Sequence, residues 1–365
     1  MTNFDIATGL SQVVDDYRKF EQNENFNDMF DEGDFGEYSL TLRRPDGTEI
    51  PIPAVSRALF YADRPTYAAL LNEQNALERS RTLRLEEFPD NEAAFERLQM
   101  LVQRKAMILP FIGAGFSVAA GCPSWGEYIV QQAIKGGMDE ATTKARVQAG
   151  EHELVMDEVI AAQKLDVFTR DFRSSFENPR IVPSECPSAE LIDLFDGAAI
   201  TTNFDRVLEN CHQEAGKPFS EKVVGNEDSY RFIKAAFQGE KYLLKLHGNI
   251  DDQRNRVLTR NEYNQSYAAK RPVPRTLSRA FASFSIVFLG CSLIADRYLH
   301  SLKEVFEQNN EAMPDHFAIL NSPDDFGERR KRDQFLAAHG ISPIWYAEGD
   351  WDAPGEILRL LKQER

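Results

Sequence analysis

Between residues 107 and 290, four short apolar runs each stop on a glycine, an asparagine or a histidine, and stretches of helical pattern lie between them. The runs are Met107 to Gly113, Ala198 to Asn203, Tyr242 to His247 and Ser285 to Gly290; two more, His316 to Leu320 and Ser342 to Tyr346, follow. Strands that alternate with helices build an open α/β sheet. Runs as continuously apolar as Ile286-Val287-Phe288-Leu289 and Phe317-Ala318-Ile319-Leu320 suit strands covered on both faces. The expectation is an α/β fold, a Rossmann-like open parallel sheet flanked by helices. Ligands of such sheets bind beyond the C-terminal ends of the strands. The residues on which the runs stop therefore carry the functional argument.

The chain changes character near residue 100. Before it, Ile6 to Phe20 has helical spacing, and Tyr38 to Pro51 alternates about Pro45-Asp46-Gly47 as a β-hairpin does. Residues 1–100 are thus expected to form an α+β extension that serves as an accessory or oligomerisation region, with 101–365 as the catalytic domain. Asn91 to Lys105 reads as a helix leading into the first strand, and Gly355 to Gln363 as a final amphipathic helix. The interval 127–190 carries a helical pattern and no comparable strand, which predicts a helical insert over the sheet edge or the mouth of a site.

Composition narrows the function classes. With 42 basic against 58 acidic residues the net charge is −16, which argues against broad contact with a nucleic-acid backbone. The one dense basic cluster, Arg329-Arg330-Lys331-Arg332, reads as a solvated helix face. The four cysteines form no C-x-x-C pair, so neither a disulfide framework nor a zinc knuckle is expected, and no metal. No apolar run approaches the roughly 18 to 20 residues of a membrane span. The start, Met1-Thr2-Asn3-Phe4-Asp5, lacks the basic and apolar regions of a signal peptide, so a cytoplasmic address is expected.

The first strand runs into Gly113-Ala114-Gly115-Phe116-Ser117, the context in which a G-x-G turn can cradle a pyrophosphate against helix N-terminal amides. Gly113 and Gly115 would clear the Cβ atoms that block close backbone approach. Val118 stands where the dinucleotide fingerprint has its third glycine, so a hydride-transferring dehydrogenase fits poorly, and a tight turn without a ligand is the other reading. The second strand ends in Thr201-Thr202-Asn203-Phe204-Asp205. Asn203 has a donor and an acceptor for a ribose or a water, and Asp205 a carboxylate for an amide or a cation. Both residue types also serve as caps and turns. The third strand ends in Lys245-Leu246-His247-Gly248, where an imidazole suits proton transfer near neutral pH, although a strand-end histidine is often structural. The fourth ends in Gly290-Cys291-Ser292, whose hydroxyl suits a ribose or phosphate.

Taken in order, Gly113 to Ser117, Gly121-Cys122-Pro123-Ser124-Trp125, Thr202-Asn203-Phe204-Asp205, His247-Gly248 and Gly290-Cys291-Ser292 resemble the sirtuin family over about residues 105–300. The resemblance implies NAD as substrate. It places Gly113, Ala114, Gly115 and Ser117 on the phosphates, Asn203 and Asp205 on the nicotinamide ribose and carboxamide, His247 as the acid/base residue, and Gly290 and Ser292 toward the adenosine. Phe116, Pro123, Trp125 and Thr202 join the binding set as members of the same segments; Trp125 could cover the nicotinamide end or pack in the core. The catalytic set is Asn203, His247 and Asp205.

Protein-deacylating sirtuins carry a four-cysteine zinc module after the His-Gly motif, and this chain continues instead with Asp251-Asp252-Gln253-Arg254 and Val257 to Tyr263. That passage, with Asp296-Arg297-Tyr298-Leu299, is similar to the sirtuin-like effectors of bacterial anti-phage systems. The resemblance implies an NAD glycohydrolase, held off until a partner or assembly step releases it. A homo-oligomer and a HerA-type DNA-translocating ATPase are the implied partners. Two other functions stay open: a protein deacylase or ADP-ribosyltransferase, and a catalytically silent nucleotide-binding module.

Overall fold

The computed structural model describes residues 15–32, 41–52, 54–177, 186–250, 255–294, 296–309 and 312–362, in two compact units, Met1–Arg81 and Thr82–Arg365. Several sequence-based expectations fall partly outside the described residues: the start of the helix read from Ile6, the start of the hairpin at Tyr38, positions 178–185 of the insert, and Asp251-Asp252-Gln253-Arg254.

The first unit contains the expected hairpin, β1 (Thr41–Arg43) and β2 (Glu49–Pro51), antiparallel with Leu42 opposite Ile50. Its turn is closed by the Asp46 carboxylate, which accepts from the Thr48 amide at 2.9 Å and the Thr48 hydroxyl at 2.6 Å. The helices Glu24–Glu32, Val55–Ala62 and Arg64–Thr82 enclose a small aromatic core of Phe20, Phe26, Phe30, Phe60 and Tyr67. The Tyr67 hydroxyl, which must find a partner when buried, donates to Asn27 Oδ1 at 2.6 Å.

The second unit is built on seven parallel strands: β3 (Ile108–Ile112), β4 (Ala199–Thr201), β5 (Glu221–Val224), β6 (Tyr242–Lys245), β7 (Ser285–Leu289), β8 (His316–Asn321) and β9 (Ile341–Tyr346). Their spatial order is β5-β6-β4-β3-β7-β8-β9, and every pairing is parallel. This is the expected Rossmann-like α/β architecture. Six strands coincide with the apolar runs; β5 does not, because Glu221 and Lys222 remain partly or fully exposed and interrupt the pattern.

Alternation along each buried strand divides the core into two layers. Ile286 and Phe288 point to one face, against the helices Gly225–Phe237, Pro272–Ser283 and Arg297–Gln308. Val287 and Leu289 point to the other, against Asn91–Gln103, Pro187–Leu194 and Ala353–Lys362. Full burial of each such side chain is worth about 1.5–3 kcal/mol, which is why these strands read as unbroken apolar runs.

The sequence boundary near residue 100 cuts a helix that belongs with the sheet. Asn91 opens the helix Asn91–Gln103, and its side chain works as a substitute strand for β9. Its Oδ1 accepts from the Trp345 amide at 2.8 Å, and its Nδ2 donates to the Trp345 carbonyl at 2.7 Å and the Leu83 carbonyl at 2.8 Å. The unit accordingly begins at Thr82.

The helical insert is present as Trp125–Lys135, Glu140–Gln148, His152–Ala162 and Leu165–Phe176. Ser124 starts it with a capping box, its hydroxyl on the Glu127 amide and the Glu127 carboxylate on its own. Its core, which includes Tyr128, Met156, Phe168, Phe172 and Phe176, also takes in Phe204 and Val207 from the segment after β4. Insert and sheet edge therefore share one core.

A buried histidine in the sheet links this fold to pH. His316 is fully buried on β8, its Nδ1 accepts from the Ile286 amide at 3.1 Å, and burial lowers its pKa from 6.5 to about 4. Protonation would break that bond and bury a cation. The unfolded chain takes up the proton near pH 6.5 while the fold refuses it, so stability that is full above pH 6.5 is lost as pH falls toward 4. Thermal melts should show this decline, and His316→Asn should flatten part of it; a slope unchanged by the substitution would show that the imidazole accepts its proton at no cost to the fold.

Candidate active site

The chain leaves β3 and turns to one side of the sheet through β4, and later to the other side through β7, so a crevice opens beyond the C-terminal ends of these strands. The turns after β3 and β7 interlock there. The Gly113 amide donates to the Leu289 carbonyl at 2.8 Å, and the Gly115 amide to the Gly290 carbonyl at 3.0 Å. A Cβ on Gly113 would collide with the Gly290 carbonyl oxygen and Cys291, and a Cβ on Gly290 with the Phe116 amide nitrogen. Gly290 also has φ +65°, the left-handed region. The bare positions are thus required by one turn against the other, in keeping with the reading of the segment as a tight turn, although its partner, the turn after β7, is not visible in the sequence. The loop continues as a 3-10 helix, Ala114–Ala120, with Phe116 and Ser117 buried beneath it and Ala114 and Gly115 partly open.

The segment after β4 is tied into the same knot. Thr201 Oγ1 donates to the Ile112 carbonyl at 2.9 Å and accepts from the Asn203 amide at 3.0 Å, while the Thr202 amide donates to Ile112 at 3.1 Å. Asn203 Nδ2 donates to the Gly113 carbonyl at 2.9 Å and to Ser117 Oγ at 3.1 Å. The Asn203 Oδ1 is buried and has no hydrogen-bond partner. An orphaned buried acceptor costs about 1–3 kcal/mol, so one held by two donor bonds on the same amide marks a position kept for something other than stability.

Asp205 is buried, and its Oδ1 accepts from the Val207 amide at 2.9 Å; burial raises its pKa, opposed by nearby Lys245. Lys245 is the residue that sequence reasoning missed. It closes β6 with 1% of its side chain exposed and donates to the Asp205 carbonyl at 2.6 Å and to Glu209 Oε1 at 2.9 Å. A lysine within an otherwise apolar strand was the available signal: it had to find a buried partner, and it fixes the loop that carries Asn203 and Asp205.

His247 lies two residues beyond Lys245, as Asn203 lies two beyond Thr201, and Thr201 and Lys245 are paired in register. Both residues thus follow the ends of adjacent, register-paired strands. His247 is buried, which lowers its pKa to about 3 and keeps the imidazole neutral. Its Nε2 lies 2.8 Å from the Tyr267 hydroxyl and its Nδ1 3.5 Å from the Tyr263 hydroxyl. Gly248 follows at φ +95°, where a Cβ would meet the Asn255 carbonyl.

Beyond β7, Ser292 is exposed and its hydroxyl lies 3.4 Å from Asp296 Oδ2. Asp296 stands at the N-cap of Arg297–Gln308 without capping it, and burial raises its pKa. Arg297 grips Glu153 of the insert with two bonds of 2.7 and 2.6 Å. Arg332, from the basic run that read as a solvated face, reaches back to the Leu293 carbonyl at 2.8 Å and the Ser292 carbonyl at 2.5 Å. Charge pattern alone did not separate it from its exposed neighbours. Trp125 is half-buried, stacked on Tyr128 at 5.7 Å and 5.8 Å from Phe204, and Pro123 is half-buried before it. Among the described residues, no group of three or more His, Cys, Asp or Glu side chains is placed to hold a metal ion, and no helix is long and apolar enough to cross a membrane.

Residues 197–344, which carry the ends of β4, β6 and β7, match the SIR2-like domain family. Two proteins share a longer stretch. The NAD(+) hydrolase ThsA of Enterococcus faecium is 26% identical over 225 residues, 58% of this chain and 42% of the relative. The NAD(+) hydrolase ThsA of Bacillus cereus (strain MSX-D12) is 23% identical over 243 residues, 62% of this chain and 44% of the relative. This chain spans less than half the length of those relatives.

The structure thus brings Gly113, Ser117, Asn203 and Asp205 into one bonded cluster, with Gly290 locked against it. Gly290→Ala tests the knot. Left-handed strain and the collision should cost of order 1–3 kcal/mol, seen as a lower denaturation midpoint with the secondary structure retained. A variant as stable as the parent would mean the turns are not held against each other.

Proposed function

We propose that the crevice binds NAD and that the protein hydrolyses its nicotinamide–ribose bond. The observation that carries this reading is the unpaired, buried Oδ1 of Asn203, on an amide fixed to the glycine turn, just beyond a strand paired with the one that leads to His247. The likeness to a SIR2-like domain and to two NAD(+) hydrolases supports the choice of substrate.

In this reaction the pair of electrons in the C1′–N bond leaves with neutral nicotinamide, positive charge develops on the ribose, and a water oxygen bonds to C1′. Partly open backbone at Ala114 and Gly115 is where the pyrophosphate docks; the Gly115 amide is already bonded to the Gly290 carbonyl, which leaves the Ala114 amide as the donor. Asn203 Oδ1 accepts from a ribose hydroxyl or from the attacking water. His247, neutral because it is buried, takes the proton that hydroxyl or water gives up, a contribution of about 10²- to 10⁴-fold. Asp205, enclosed and bonded to its own loop, acts by fixing the segment that carries Asn203. Ser292 and Gly290 lie on the adenosine side.

Unrestrained hydrolysis of NAD would kill the cell that makes the enzyme, so the activity is a regulated one. Depletion of NAD during phage infection, released by assembly or by a partner such as a HerA-type ATPase, is the setting that the sequence resemblance implies.

Nicotinamide release from NAD is the direct assay. His247→Ala and Asn203→Ala should each lower it by at least about 10²-fold while melting as cooperatively as the parent chain. Release at the parent rate from purified His247→Ala would refute the mechanism, and turnover of acetyl-lysine peptides instead of plain hydrolysis would move the assignment to a protein acceptor.

A further inference from the structure

Two hydroxyls from one short helix bracket the imidazole of His247. Tyr263 lies on the helix Arg260–Ser266 and Tyr267 is its C-cap, a spacing of four that sets both rings on the same face. The rings stack with centroids 6.0 Å apart and planes 23° apart, and each meets the imidazole edge to face, at 5.1 Å and 6.0 Å. Both tyrosines are partly open to solvent, as side chains lining a cleft are.

The helix that presents them is firmly anchored. Thr259 and Glu262 form a capping box, and the Glu262 carboxylate also accepts from the Leu258 amide at 2.8 Å. The Arg260 amide donates to Asp157 of the insert at 3.1 Å. One backbone bond, from the Val257 amide to the His247 carbonyl at 2.9 Å, fixes the start of the segment against the histidine itself. The charged groups that act on this pair are Asp296, Glu153 and Arg297, with Glu262 acting on Tyr263.

A neutral imidazole has one N–H and one lone pair, and its other bonds decide which nitrogen has which. The two contacts here are unequal. At 2.8 Å the Tyr267 hydroxyl makes a full hydrogen bond to Nε2, whereas at 3.5 Å the Tyr263 hydroxyl barely reaches Nδ1. Burial raises the pKa of both phenols, so each keeps its proton.

We propose that Tyr267 is a positioning residue for His247: its hydroxyl oxygen accepts the Nε2–H, fixes that tautomer, and leaves the Nδ1 lone pair facing the cleft as the base. Tyr263 then occupies the Nδ1 direction loosely, and a ribose hydroxyl or water displaces it. On hydrolysis the oxygen that bonds to C1′ gives its proton to Nδ1, and the imidazolium holds its other proton against Tyr267 until solvent takes the first one away. This inference rests on the base role given to His247 above, yet its central statement concerns the protein without NAD.

The test separates the two. In the full chain with ¹⁵N-labelled histidine, nitrogen shifts of His247, assigned by their loss in His247→Ala, report the tautomer directly. The expected result is protonated Nε2 and bare Nδ1 in the parent and in Tyr263→Phe, and a loss of that preference in Tyr267→Phe. Tyr267→Phe should also lower kcat for nicotinamide release on the order of 10- to 100-fold, with KM nearly unchanged. A proton on Nδ1 in the parent, or a Tyr267→Phe variant with the parent tautomer and kcat, overturns the proposal. Should His247→Ala prove fully active, the base role fails instead, and the tautomer measurement still decides whether Tyr267 holds the ring.

Discussion

Gly113 is bonded on both sides at the point where three strands end. Its amide donates to Leu289 at the end of β7, and its carbonyl accepts from Asn203 beyond β4. With no side chain allowed at Gly113 or at Gly290, the two turns close to backbone contact. Loops are ordinarily the variable part of an α/β protein. Here the loop is as constrained as the sheet beneath it, and that lets a single amide be presented in one orientation.

The polar groups around the junction sort by what is left over. Thr201, Ser117, Asp205 and Lys245 spend their bonding capacity on one another and on backbone. Removing Glu209 alone would leave the buried Lys245 cation without its counter-charge, the costly way to break an ion pair. Asn203 Oδ1 is the exception, and His247, which burial holds neutral, has its Nδ1 only loosely engaged at 3.5 Å from the Tyr263 hydroxyl. Perturbed and unsatisfied groups that converge on one crevice are the physical signature of a functional site. The insert is tied to these segments through the shared core at Phe204 and the grip of Arg297 on Glu153.

What could be read from the amino-acid order follows from where burial leaves a mark. Strands covered on both faces, such as Ile286 to Leu289, show as unbroken apolar runs, and their last residues mark the sheet edge at which ligands of such folds gather. β5 gave no such mark, since an edge strand keeps residues such as Lys222 in solvent. The helix at Asn91 read correctly as a helix, but its partner is Trp345, 254 positions away, so its membership of the sheet unit was invisible. The same distance in sequence hid Arg332 on the Ser292 turn and Tyr267 on His247. The glycines were recognised, but the reason they must be glycines, the opposing turn, emerged only from the fold.

The central claim is that one dinucleotide spans the crevice from the Gly113 turn to His247. The most direct measurement is a crystal structure of Asn203→Ala, impaired in turnover, grown with NAD. The account predicts the pyrophosphate against the open backbone at Ala114 and Gly115 and the nicotinamide ribose between position 203 and His247. NAD seated elsewhere, for instance in the groove of about 760 Å³ beside Trp345 and Arg329, with the strand-end crevice empty, would contradict it.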